Sequence, residues 1–145
     1  INSLEGIIVL SHNKIPHKGL VITPTAIYDN DEKTGLPNPG KITLTKGKSK
    51  ISVLVYKPEG NPEKPETAPD PLAMLKKRHL QPGKKPVGFR DDVYVISQSP
   101  DIFWFVSDVD INTIYKGVSV VSFGPKKCLR IDLRTREVKQ EDAKN

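Results

Sequence analysis

The sequence predicts a mainly β fold, a single antiparallel barrel or sandwich-like domain with one short helix at about 71–80. Three observations carry that expectation. The apolar runs are short and are separated by clusters of Gly, Pro, Asn and Asp. Several of them alternate apolar and polar residues, the period of a strand with one face in a core. Only one stretch, Leu72 to Arg78, sets good helix formers behind a capping residue.

From the amino terminus, Glu5–Leu10 is a short apolar run suited to a buried strand, and Gly19–Thr23 suits a second. Ser11-His12-Asn13-Lys14 between them reads as a turn, and Thr25–Tyr28 as a third short strand. Asp29–Gly40 is rich in turn residues and is expected to be a loop. Lys41–Thr45 and Ile51–Tyr56 alternate as the arms of a hairpin, with Lys46 to Lys50 as its basic tip. Pro58, Pro62, Pro65, Pro69 and Pro71 then deny ladder hydrogen bonds, which makes about 58–71 an exposed Pro-rich loop.

The helix follows, with Asp70 as its cap and Pro71 at its first position. Lys76, Lys77 and Arg78 fall in its last turn, where the helix dipole favours cations. Asp92–Ser97 reads as a strand, and Ile102–Val106 is apolar on both faces, as a central strand is. Gly117–Phe123 and Cys128–Leu133 are expected to complete a meander around a turn at Gly124 to Lys127. Arg130, Asp132 and Arg134 alternate with Leu129, Ile131 and Leu133, the pattern of a half-solvated strand. A polar, frayed tail is expected from about 137.

The 145 residues fit one domain, 1–145, able to build a core without disulfides or a structural metal. The one cysteine, Cys128, excludes an internal disulfide framework. No apolar run has the length of a membrane span, and no signal-peptide pattern opens the chain. An intracellular setting is the expectation. The start at Ile1 rather than Met is read as a domain excised or processed from a parent polypeptide.

The net charge is +6, and the segment Lys76 to Arg90 alone holds six basic residues and no acid, so the basicity is local. The expected binding residues are therefore Lys76, Lys77, Arg78, Lys84, Lys85 and Arg90, with Lys46, Lys48 and Lys50 of the hairpin tip as an extension. Such a cluster fits an acidic protein surface or a nucleic acid, whose phosphates it would neutralise with counterion release. A solvated helix end is the plainer alternative. Pro62-Glu63-Lys64-Pro65 has the bare spacing of a Pro-rich ligand and nothing more.

Other constellations carry less. Strand alternation puts Trp104 on one face and Phe103 and Phe105 on the other, so at most one set is free to stack on bases. Asp108, Asp110 and Asn112 begin like a calcium loop, but Thr113 and Ser119 stand where that loop needs Gly and Glu, so a turn with exposed carboxylates is expected over Asp108–Asn112. His12 and His17 are at no metal-pair spacing, and Cys128 reads as a small buried hydrophobe. No catalytic residue, metal or cofactor is expected. The sequence thus points to a non-enzymatic binding or assembly module that uses a basic surface at 76–90. A nucleic-acid-binding domain is one alternative. A small metal-independent ribonuclease is another, with His12 or His17 as base and Arg78, Arg130 or Arg134 as anion stabiliser.

Overall fold

The computed structural model describes residues 7–15, 19–30, 32–46, 49–58, 70–78, 80, 95–96, 98–132, 135 and 137–142. In chain order the strands are β1 (Ile7–Ser11), β2 (Leu20–Ile22), β3 (Ala26–Asp29), β4 (Glu32–Gly35), β5 (Gly40–Lys46) and β6 (Ser49–Tyr56). After α1 (Pro71–Lys77) come β7 (Ile102–Phe105), β8 (Ile111–Tyr115), β9 (Val118–Ser122), β10 (Lys127–Asp132) and β11 (Val138–Asp142). They form a six-stranded sheet, β11-β10-β1-β2-β3-β4, and a five-stranded sheet, β5-β6-β7-β9-β8. This is the mainly β, sandwich-like fold with one short helix that the sequence predicts.

Period two explains the layering. Ile8, Leu10, Leu129 and Ile131 of the first sheet meet Ile51, Val53, Val55, Trp104 and Val121 of the second in one core between the sheets. The alternate residues Leu54, Tyr56, Phe103, Phe105, Val118 and Val120 point the other way, onto Met74 and Leu75 of α1. Both faces of the five-stranded sheet are thus covered. That is why β7 reads as a continuous apolar run. A third, smaller cluster of Val9, Ile15, Val21 and Cys128 lies on the outer face of the six-stranded sheet.

The ladders are mixed where the sequence reading had them antiparallel. β1–β2, β6–β7 and β7–β9 are parallel pairs. Parallel neighbours need a crossover rather than a tight turn. The chain from Lys57 to Asp101, which includes α1, supplies the one between β6 and β7.

Four local expectations differ from what is seen. The expected loop Asp29–Gly40 contains β4, whose residues are all exposed and carry no apolar period to read. The expected meander does not form, because β9 and β10 lie in different sheets. The turn Gly124–Lys127, closed by Lys127 N–H donating to Gly124 C=O at 3.1 Å, carries the chain between them. The expected fraying tail is an edge strand over Val138–Asp142, held by its ladder to β10 and by the Arg130–Glu141 pair at 2.7 Å. Asn112, placed in a carboxylate turn by the sequence reading, belongs to β8. Most of the Pro-rich segment (59–69) and of the expected strand 92–97 falls outside the described residues.

A helix of seven residues is too short to persist by its own hydrogen bonds. Burial of Pro71, Met74 and Leu75 anchors it, and Asp70 Oδ1 caps it by accepting from Leu72 N–H at 3.0 Å. Asp70→Ala is expected to lower stability by about 0.5–2 kcal/mol, read from the urea midpoint at unchanged slope.

Candidate functional site

The last turn of α1 and the β8–β9 hairpin face one another across a cleft of about 320 Å³. Its floor is apolar, made by the buried side chains of Leu75, Ile96 and Val118. Around it stand Lys76, Arg78 and Lys116, with Ser99 and Tyr115 between them, and no carboxylate lines it among the described residues.

Local chain geometry places each cation. Arg78 is the C-cap of α1, in the left-handed conformation at φ 52° and ψ 39°, and its N–H donates to Leu75 C=O at 3.3 Å. That conformation ends the helix and turns Arg78 off the helical path, at a cost of roughly 1–2 kcal/mol for a residue with a Cβ. Its Nη2 donates to Ser99 Oγ at 2.9 Å. The returning chain is fixed to the same residue, as Ile96 N–H donates to Arg78 C=O at 2.8 Å. Across the cleft, Lys116 and Gly117 have φ of 46° and 82°, the two positive values of a type I′ hairpin turn. Lys116 Nζ lies 5.6 Å from the centre of the Tyr115 ring. An exposed cation–π contact of that kind is worth about 0.5–1 kcal/mol.

Three cations around a partly apolar cleft act on an anion more strongly than the same charges spread over an open surface. The arrangement can seat a carboxylate or phosphate whose apolar neighbour rests on Leu75 and Val118.

Of the residues singled out in the sequence, Lys76 and Arg78 line this cleft, and Lys77 is exposed beside it without lining it. Lys50 is exposed on β6 and is not part of the cleft, and Lys46 ends β5. Lys48, Lys84, Lys85 and Arg90 lie outside the described residues. Lys116, Tyr115 and Ser99 are additions from the fold. The Lys-Gly pair between Ile111–Tyr115 and Val118–Ser122 is the sequence signal of the turn that brings Lys116 there.

A second cleft, of about 490 Å³, opens where His12 and Lys57 approach Ser107 and Asp108. His12 Nε2 is 2.6 Å from Phe123 C=O. A carbonyl only accepts, so Nε2 carries the proton. The imidazole stands edge-on to Trp104 and Phe123 at 5.9 and 5.4 Å, closing the end of their stacked pair. Lys57 is fixed by Asn38, whose amide accepts from Lys57 N–H at 3.0 Å and donates to its C=O at 2.7 Å. Neither Arg78 nor Arg130 lines this cleft, Arg130 being paired with Glu141. The His–Arg combination considered from the sequence is therefore not brought together by His12 with either arginine. His17, His79 and Arg134 lie outside the described residues.

The aromatic strand is core on both faces: Trp104, Phe103 and Phe105 are buried, which removes them as base-stacking platforms. Asp110 pairs with Lys127 at 3.2 Å. Cys128 is buried, and burial pushes its thiol above the ordinary range, with Glu141 and Asp142 adding to the effect and Arg130 opposing it. No described helix is long and apolar enough to cross a membrane.

No protein-family model matches the chain, and no curated protein matches it in sequence.

Proposed function

We propose that this chain is a non-enzymatic binding module that docks an acidic protein segment in the cleft between α1 and the β8–β9 hairpin. The supporting observation is the cleft itself: Lys76, Arg78 and Lys116 surround an apolar floor that no carboxylate lines among the described residues. A protein segment suits that floor because it can offer an apolar side chain beside its acids. A nucleic acid fits less well. Its recognition draws on aromatic platforms or long phosphate-tracking grooves, and the Trp104, Phe103 and Phe105 rings are buried.

The test is fluorescence anisotropy with a labelled peptide of alternating glutamate and leucine, run beside single-stranded RNA and duplex DNA through a salt series. The peptide is expected to bind, and the double variant Lys76→Gln/Arg78→Gln to weaken it about tenfold or more, the loss of one to two charge-assisted contacts. Binding of RNA or DNA more tightly than the peptide, with a steep salt slope, would replace this reading by the nucleic-acid one. No binding of any probe removes the cleft as a docking site.

A further inference from the structure

We infer that β8 pairs with β8 of a second copy of this chain, joining two five-stranded sheets edge to edge about a twofold axis at Thr113. β8 ends its sheet, with β9 on one side and no strand on the other among the described residues. Ile114 on this edge is 74% exposed and Val109 just before it 62%, the two most exposed large apolar side chains described. Long apolar side chains on an open strand edge invite another strand.

The backbone fixes which register is possible. Ser119 N–H donates to Asp101 C=O at 2.9 Å, on the β7 side. Val118, Val120 and Ser122 therefore turn their backbone groups toward β8, where their partners are Tyr115, Thr113 and Ile111. A two-residue turn closing on a hydrogen-bonded Tyr115–Val118 pair requires the same. Asn112 and Ile114 consequently direct their N–H and C=O groups away from the sheet, available to a new strand.

An antiparallel twofold pairing must match outward-directed residues with one another. Setting Asn112 opposite Ile114 of the second copy does so and puts Thr113 on the axis. Ile111 then meets Tyr115, and Asp110 meets Lys116, each twice by symmetry. Apolar, Thr–Thr and opposite-charge pairs are the favourable cross-strand combinations, and no like charges are opposed. Shifting the axis to Asn112 instead sets Ile114 against Asp110, and shifting it to Ile114 leaves Lys116 facing Asn112. Of the three, the register at Thr113 alone sets Asp110 opposite Lys116 in both copies without setting a charge against an apolar side chain, a self-complementary arrangement as a twofold interface needs.

This inference shares Lys116 with the proposed docking role but is tested apart from it, with no peptide or nucleic acid present. The full 145-residue chain is followed by sedimentation equilibrium over a wide concentration range, since one short edge gives a modest affinity. The mass is expected to rise to that of two chains. Ile114→Pro removes one outward N–H, a change an edge strand tolerates, and is expected to leave a monomer with an unchanged circular dichroism spectrum. Asp110→Lys sets lysine against lysine across the axis, and Lys116→Asp sets aspartate against aspartate. Each alone is expected to weaken self-association about tenfold, and mixing the two variants to restore it as a heterodimer. A wild type that stays monomeric overturns the inference. So does a dimer indifferent to the charge substitutions, or variants that do not recover on mixing. If Ile114→Pro fails to fold, the charge-substituted pair decides alone.

Discussion

Trp104→Ala is expected to destabilise the protein by about 3–5 kcal/mol, the range for a large aromatic removed from a core. Trp104 is fully buried in the inter-sheet core and stacks on Phe123 with ring centres 5.1 Å apart and planes 11° apart. His12 rests edge-on against both rings, so the cavity would open beneath it as well. The check is urea unfolding followed by circular dichroism, with Trp104→Phe as the control. Trp104 Nε1 is buried and finds no acceptor among the described residues. Phenylalanine deletes that unsatisfied donor while keeping a ring on Phe123, so the loss of volume is partly offset. The Phe variant should lie well above the Ala variant in stability. Equal losses in the two would mean that the indole ring, not the stack, is what the core requires.

Phe103→Ala is expected to be of similar size, about 3–5 kcal/mol, and to have a different local signature. Phe103 is fully buried on the opposite face of the same strand, in the cluster that holds Met74 and Leu75. Its ring meets that of Phe105 edge-on at 6.3 Å. Because α1 is too short to stand alone, loss of this support should release it before the sandwich unfolds. Hydrogen exchange would then show amides of α1 losing protection in Phe103→Ala while those of β1 and β10 keep theirs. In Trp104→Ala the two regions should lose protection together. A helix as protected in Phe103→Ala as in the wild type would place its anchor elsewhere than in this cluster.

The layers were legible where side chains declare a face. β5 and β6 alternate, β7 is apolar throughout, and Asp70-Pro71 announces α1, so the mainly β class and the helix follow from the residues alone, while barrel and sandwich stay open. What escaped the sequence were strands made by pairing rather than by burial. β4 consists of Glu32, Lys33, Thr34 and Gly35, all exposed, and only its partner β3 makes it a strand. β11 is similar: after Val138 its residues are exposed. Strand order was beyond reach for another reason. Apolar residues on both faces say that a strand is central, but not whether its neighbours run parallel or antiparallel to it.

The candidate site divides in the same way. Lys76 and Arg78 were visible as part of a charge run, which has no dependence on fold. Lys116 was not, because nothing near it in sequence is basic, and it reaches the cleft only through the turn that reverses β8 into β9. The carboxylates Asp108 and Asp110 drew attention as possible ligands, whereas Asp110 answers to Lys127 in space.

The parallel pairing of β6 with β7 also governs how the chain finds its structure. These strands are neighbours in the sheet but are separated in sequence by everything from Lys57 to Asp101. β7 supplies Trp104 to one core and Phe103 to the other, so neither core is complete until that long segment has closed. The entropy of closing it grows slowly, by about 0.6 kcal/mol for each doubling in length. Equilibrium stability is therefore almost indifferent to how long the Pro-rich segment is. The same cost falls on the rate of folding, because both layers wait for a non-local contact to form.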